Sequence, residues 1–322
     1  MRTYVLRRLL QVFPLLLGIS ALTFILLQLA PGDFLNTMAE NPTVSAERLE
    51  AMKRSFGLDR PWYVQYGLYL KNLFLHFDFG ESFARHQKVV IILREGVFNT
   101  LLLAAAAAVL TWGLAIPLGV WAAVRQYSWV DKSLAVVGVI GLSIPEVLSG
   151  LLLLMFAAST GLLPVGGMRS IDHDQMDAVG RGLDVLRHLI LPALVVGLTP
   201  LAGRMRQMRG NLLDVLRLDY VTTARAKGLS EDVVVFKHAL RNAINPLITL
   251  FGYTLGALVS GSLIVEIIFS WPGLGRITYE AIMSQDQYLV LGSVMMASFV
   301  LILGNLIADL LLAVADPRIA YD

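Results

Sequence analysis

A chain of 322 residues with 56% hydrophobic and only 16% charged side chains lies outside the range of ordinary soluble domains. Its charge, 26 basic against 24 acidic residues and a net +2, is gathered into short segments that leave long tracts almost uncharged. The absence of cysteine excludes disulfides, thiolate metal sites, a lipoprotein anchor and a cysteine nucleophile.

A helix rises about 1.5 Å per residue and the hydrocarbon core is about 30 Å thick, so a span takes roughly 20 apolar residues. Six tracts approach or meet that length: 9–30, 100–123, 134–160, 186–202, 247–269 and 288–315. They lack the two-residue alternation of barrel strands, which leaves helices as the conformation that satisfies the backbone in lipid. The first tract follows Arg2, Arg7 and Arg8 as a secretory signal would, but its apolar run is too long and LAPGD makes a poor cleavage site. It is read as an uncleaved anchor.

After the anchor comes a small polar module. Ser45 is placed to cap a helix in which Leu49, Met52 and Phe56 share a face, with Gly57 ending it. Arg60-Pro61 turns the chain into an aromatic stripe of Trp62, Tyr63, Tyr66 and Tyr69. An interfacial belt is the plain reading of that stripe, and a docking surface for an external partner the functional one. The third tract carries Ser143-Ile144-Pro145-Glu146, placing a carboxylate about halfway along a span. Such a group must face protein or water. Glu146 either lines a solute pathway with Ser143 and Pro145, where it would meet a substrate amino group, or is paired or protonated structurally; these three residues are taken as pathway candidates. The fourth tract, with Pro192 and Pro200, has the least certain limits. In the fifth, Gly252, Gly256 and Ser260 recur at four-residue spacing, which lets two helix backbones approach within one chain or between subunits. These three are also pore candidates.

Lys and Arg set the orientation. The N-terminus, the loop after the second span (Arg125, Lys132) and the loop after the fourth (Arg204, Arg206, Arg209, Arg217, Arg225, Lys227, Lys237, Arg241) all fall on one side of a six-span chain. Both ends are therefore expected in the cytoplasm. That last loop contains the most informative pattern in the sequence, a polar helix–glycine–helix between two spans. Tyr220 to Lys227 form a short helix, Gly228 ends it with positive φ, and Ser230 caps a second helix. Glu231 and Asp232 open that second helix and Lys237 and Arg241 lie toward its end, in agreement with its dipole. A compact basic hairpin is either a solvated loop with good caps or a docking element. Tethered at both ends to spans, it does not fit a DNA-reading module, and no nucleic-acid partner is expected.

The residues DYVTTARAKG (219–228) followed by HALRNA (238–243) carry a resemblance to the membrane permease subunits of bacterial ABC importers of the dipeptide/oligopeptide (peptide/nickel) family. RRLL, LAPGD, FGLDRPWYVQY, FDFGESF, SIP, FSWPGLGR and DPRI extend the likeness over nearly the whole chain. The superfamily's general EAA-loop pattern is degraded: Thr222, Thr223 and Ala224 stand for EAA, and His238, Leu240 and Arg241 for I, L and P. Phe34 also departs from the proline usual after PGD.

The resemblance implies an all-α integral membrane protein of the cell (inner) membrane with the type I ABC importer permease fold, six transmembrane helices and both termini cytoplasmic. It divides the chain into an N-terminal anchor helix (1–30), an external segment (31–97), a five-helix permease core (98–315) with the coupling loop 204–245, and a cytoplasmic tail (316–322). Tyr220, Thr223, Ala224, Arg225, Ala226, Lys227 and Gly228 would couple to an ATPase. Expected partners are a second homologous permease subunit, two cytoplasmic ATPase subunits, an external solute-binding protein and membrane lipid. No glycine in the chain is followed by lysine, so no P-loop is present. No cofactor is expected here; ATP and Mg would belong to the partners, and the chain would not itself be an enzyme. A secondary carrier or channel is the alternative class, one with no need of a docking hairpin. The run Asp172-His173-Asp174 invites a metal reading, but a lone histidine between acids in a polar loop is expected to be solvated, and no metal is assigned.

Overall fold

The computed structural model describes residues 2–30, 39, 45–55, 57–248, 250–251 and 263–315. Among the described residues the regular elements are helical, with one isolated bridge between Glu81 and Lys88. In chain order they are α1 (Arg2–Leu29), α2 (Ala46–Ser55), α3 (Trp62–His76), α4 (Val89–Val124), α5 (Trp129–Ser143), α6 (Glu146–Thr160), α7 (Ala178–Leu216), α8 (Asp219–Ala226), α9 (231–243), α10 (Leu263–Ile268), α11 (Leu274–Met283) and α12 (Gln287–Ala315).

Among the described residues four helices are long and apolar enough to cross a membrane, the segments Leu10–Leu29, Val89–Val124, Ala178–Leu216 and Gln287–Ile307. The pair α5 and α6 adds a fifth if taken together, but its two halves meet at 103°. The tract expected as the third span is therefore sharply bent in its middle. Its cause is local: Pro145 has no N–H to donate, Ile144 before it is driven to φ −83° and ψ 122°, and the Ser143 hydroxyl turns back onto the Val139 carbonyl at 2.8 Å. Glu146 consequently sits in the first turn of α6 instead of the middle of a continuous helix. The fourth tract is the opposite case. Pro192 and Pro200 both lie inside α7, whose 39 residues reach about 58 Å, well beyond a single membrane crossing. The fifth tract, with Gly252, Gly256 and Ser260, lies mostly outside the described residues.

Contacts divide the chain into two compact units, residues 1–100 with 272–302, and residues 101–271 with 303–322. In the first, α2 ends before Gly57 at φ +68° as its sequence predicts. The aromatic stripe behaves differently at its two ends. Trp62 and Tyr63 are exposed, but Tyr66 lies against Ser20 of α1 at 2.9 Å, and Tyr69 is buried with its hydroxyl on Met295 and its ring stacked on Tyr288. Half of the stripe is therefore packing, neither belt nor docking surface. FDFGESF has a structural reason as well. Gly80 (φ +86°) passes the Tyr288 ring so closely that a Cβ would meet it at 3.0 Å, and Ser82 donates to the buried carboxylate of Asp286 at 2.5 Å. Thr100 accepts the Leu274 N–H at 2.7 Å and Asn99 donates to the Pro272 carbonyl at 2.8 Å, fixing the start of α11.

In the second unit α4 and α7 are packed through small residues. Ala104, Ala107, Ala108 and Ala193 are buried between them, and the Thr111 hydroxyl donates to the Gly197 carbonyl at 3.0 Å. The outward faces of α4, α5 and α6 leave Val109, Val137 and Met155 more than half exposed, the arrangement of helices whose solvent is hydrocarbon. The loop 161–177 is tied down from two directions. Gly167 donates to the Phe269 carbonyl at 2.8 Å, and His173, expected to be solvated, is instead 8% exposed with Nδ1 2.7 Å from Asp184. Among the described residues no group of three or more acidic or histidine side chains is arranged to hold a metal ion.

Candidate functional site: a polar hairpin between two spans

α7 passes into α8 across only Arg217 and Leu218, so the hairpin is a direct extension of a long helix. Val221 and Ala224, three residues apart, lie on one face of α8 and are buried against Val234, Val235, Ala239 and Ala243 of α9. Gly228, at φ +77°, ends the first helix in the left-handed region that glycine tolerates without strain. Ser230 stands at the start of α9, yet only its carbonyl is used, accepting the Val234 N–H at 3.0 Å; its side chain makes no cap.

Three polar clasps close the hairpin. Arg225 donates twice to Glu231, at 3.1 and 2.6 Å, across the glycine turn. Asn242 donates to the Tyr220 hydroxyl at 2.7 Å, and Asn211 of α7 donates to the Ala243 carbonyl at 3.2 Å. The Arg225 guanidinium bonded to Glu231 holds that carboxyl below its usual range. A carboxylate with a lowered folded value stabilises above its unfolded value, and that contribution disappears as pH falls through the folded one. Because the pair is exposed, Glu231→Gln is expected to cost less than about 1 kcal/mol at neutral pH, and progressively less as pH falls below the ordinary carboxylate range toward the lowered folded value. Paired thermal unfolding across that pH range checks it.

Of the seven residues singled out in the hairpin, six are exposed and one is not. Tyr220, Thr223, Arg225, Ala226, Lys227 and Gly228 are open to solvent, whereas Ala224 is 6% exposed and faces the core. Thr223 and Lys227 share one face of α8, while Ala226 lies with Asp219 and Thr222 on the adjacent one. The sequence did not signal that Val234–Ala239 forms a π-helical turn inside α9, a feature met often at functional positions. At the other candidate, Ser143 and Pro145 are exposed and Glu146 is half-buried, with no partner for its carboxylate among the described residues.

Among the described residues the protein is helical, with several apolar helices long enough to span and a polar hairpin inserted between them, the layout of a multi-pass membrane protein. Residues 115–321 match the model of the binding-protein-dependent transport system inner membrane component, and residues 1–104 that of its N-terminal region. The chain is 39% identical over 323 residues to the oligopeptide transport system permease protein AppB of Bacillus subtilis, covering all of both chains. It is 38% identical to the di/tripeptide transport system permease protein DppB of Pseudomonas aeruginosa, covering 100% of this chain and 99% of that one. A putative peptide transport system permease protein of Brucella abortus is 36% identical over the full length of both. Among solved structures, the inward-facing MetNI methionine ABC transporter resembles 69% of this chain and 97% of its own matched chain, with a TM-score of 0.51 at 18% identity, a likeness of fold. The chain belongs to the family of binding-protein-dependent transport system inner membrane components. It is a multi-pass inner-membrane permease subunit of an ATP-driven importer, working with ATPase and solute-binding partners.

Proposed function

We propose that this chain forms one half of the translocation pore for peptides or similar small solutes, and that the 219–243 hairpin is the lever through which two cytoplasmic ATPase subunits drive it. The observation that carries the reading is the division of labour in α8. Val221 and Ala224 anchor it to α9, while Thr223, Ala226 and Lys227 are exposed to solvent toward the glycine turn. A loop needing only to be soluble has no use for an anchored inner face and three clasps. Peptide as the solute is supported by the names of the full-length relatives, AppB and DppB.

In this reading six spans place both termini in the cytoplasm, the tract 247–269 supplying the fifth, and a second homologous permease completes the pore. ATP and Mg are handled by the ATPases, so the chain catalyses no reaction of its own. The pathway would pass the bend between α5 and α6, where the Glu146 carboxylate can meet a substrate ammonium, and would be lined also by Ser143, Pro145, Gly252, Gly256 and Ser260. The module 31–97 would lie outside, toward the solute-binding protein.

The test is reconstitution of the complete complex in liposomes with its binding protein and a peptide, measuring ATP hydrolysis and uptake together. Ala226→Trp, on the exposed side of α8, is expected to lower peptide-stimulated hydrolysis and uptake at least tenfold with the permease still assembled in the membrane. Ala224→Trp is unsuitable, because it would overpack the buried side. Unchanged coupling in Ala226→Trp would mean that this face of α8 is not where the ATPase docks, and uptake by the chain without any ATPase would assign the protein to secondary carriers.

A further inference from the structure

Between α5 and α7 lies a cleft of about 410 Å³ whose walls are Leu134, Ala135, Gly138, Val139, Ala202 and Met205. Gly138 lies at its floor: a Cβ there would meet the Met205 methyl at 3.2 Å and the Ala202 methyl at 3.7 Å, so the two helices close against each other at this level. Two turns away the helices are joined by the bidentate pair of Arg209 and Asp131, at 2.6 and 2.8 Å. At that same end Lys132 and Arg206 also line the cleft, both exposed and neither with a partner among the described residues.

The level of this end in the bilayer can be read from its neighbours. Tyr127 and Trp129, at the start of α5, are 74% and 80% exposed, the position of amphipathic rings at the headgroup layer. Further along α5, Val136, Val137, Val139 and Ile140 are all more than half exposed, which places them in hydrocarbon. The cleft therefore runs from a basic mouth at the headgroups to an apolar furrow about 10 Å deeper, the distance from residue 131 to 138 along a helix. Arg209 is already neutralised by Asp131, so Lys132 and Arg206 supply the uncompensated charge.

We propose that this cleft binds one anionic glycerophospholipid, its phosphate held by Lys132 and Arg206 and one acyl chain lying along Ala135, Gly138 and Ala202. The combination selects this occupant. A free phosphate has no use for the furrow, and a zwitterionic lipid brings a cationic headgroup to a cationic mouth. A lipid seated there would brace α5 against α7 above the hairpin.

The experiment uses the full chain purified in neutral detergent and stripped of lipid, read by native mass spectrometry. The probes are phosphatidylglycerol, phosphatidylcholine with the same acyl chains, and glycerol 3-phosphate as the headgroup alone. One phosphatidylglycerol is expected to remain bound, phosphatidylcholine to be lost and glycerol 3-phosphate to fail as a competitor. The double variant Lys132→Gln with Arg206→Gln should weaken phosphatidylglycerol about 30-fold, the factor expected for two interfacial cations. Ala135→Trp fills the furrow without touching the charge and should weaken it independently. Equal retention of both lipids, full competition by glycerol 3-phosphate, or wild-type binding by both variants would overturn the assignment. So would finding the face covered by a second copy of the chain, with lipid bound only to the monomer released by these variants.

Discussion

Asp184→Ala is expected to lower the stability of the solubilised chain by about 3 kcal/mol and to release the loop 161–177 to protease. The carboxylate sits in the second turn of α7 with its side chain 5% exposed. It accepts the Ser170 N–H at 2.9 Å and the Ser170 hydroxyl, and lies 2.7 Å from Nδ1 of His173. His188, one turn further along α7, places Nδ1 2.8 Å from the Asp184 backbone carbonyl and 3.4 Å from its carboxylate. Alanine would leave a part-buried backbone N–H, a hydroxyl and a buried imidazole without their common acceptor, the class of change that costs more than the bonds were worth. Ser170→Ala removes one hydroxyl donor and spares the other bonds, so it should cost about 1 kcal/mol. Thermal unfolding in detergent with timed proteolysis of the loop separates the two. Equal midpoints for Asp184→Ala and the parent would mean that the cluster is incidental to the fold.

The features legible in the sequence were those fixed by local physics. Apolar tracts located the helices long enough to cross a membrane, and Gly57 and Gly228 stand where left-handed backbone ends a helix. What escaped notice depends on partners distant in the chain. The mates of Asp131, Asp184 and Asp286 lie 78, 14 and 204 residues away, and nothing in the neighbourhood of a carboxylate announces them. His173 was misread for the same reason: flanked by acids it looked solvated, but the acid that matters is on α7.

Proline was ambiguous in both directions. Pro145 breaks its tract by 103° because Ile144 cannot stay helical before it, yet Pro192 and Pro200 are absorbed within α7. Around Pro192, the helix is buried against Ala107 and other small residues, and tertiary packing holds what propensity opposes. In the hairpin, the polar pattern located the element but could not separate the anchoring face from the free one. Ala224 and Ala226 are the same residue two positions apart, and only the position of α9 decides which is buried.

Gly119→Ala is expected to cost about 2 kcal/mol, and Gly119→Leu enough to prevent recovery of folded protein. On α4 this glycine faces α7 so closely that an added Cβ would stand 2.7 Å from the Met205 carbonyl oxygen and 2.7 Å from the Met208 Cβ. Neither is the free end of a flexible side chain, so the helices themselves would have to separate. Gly113 lies on the same helix with nothing within 4 Å of its added Cβ, and Gly113→Ala should be neutral or stabilising by up to about 1 kcal/mol. Comparison of the two alanine variants by thermal midpoint removes the effect of helix propensity and leaves the contact. The consequence reaches the hairpin, because α7 continues from Met208 through Leu212, also buried, to Leu216, two residues short of α8. A lever moves its load only if the arm is held against a neighbour. If Gly119→Ala were as stable as Gly113→Ala, α4 and α7 would not be in this close register, and α7 would lack the rigid seat that the proposed lever needs.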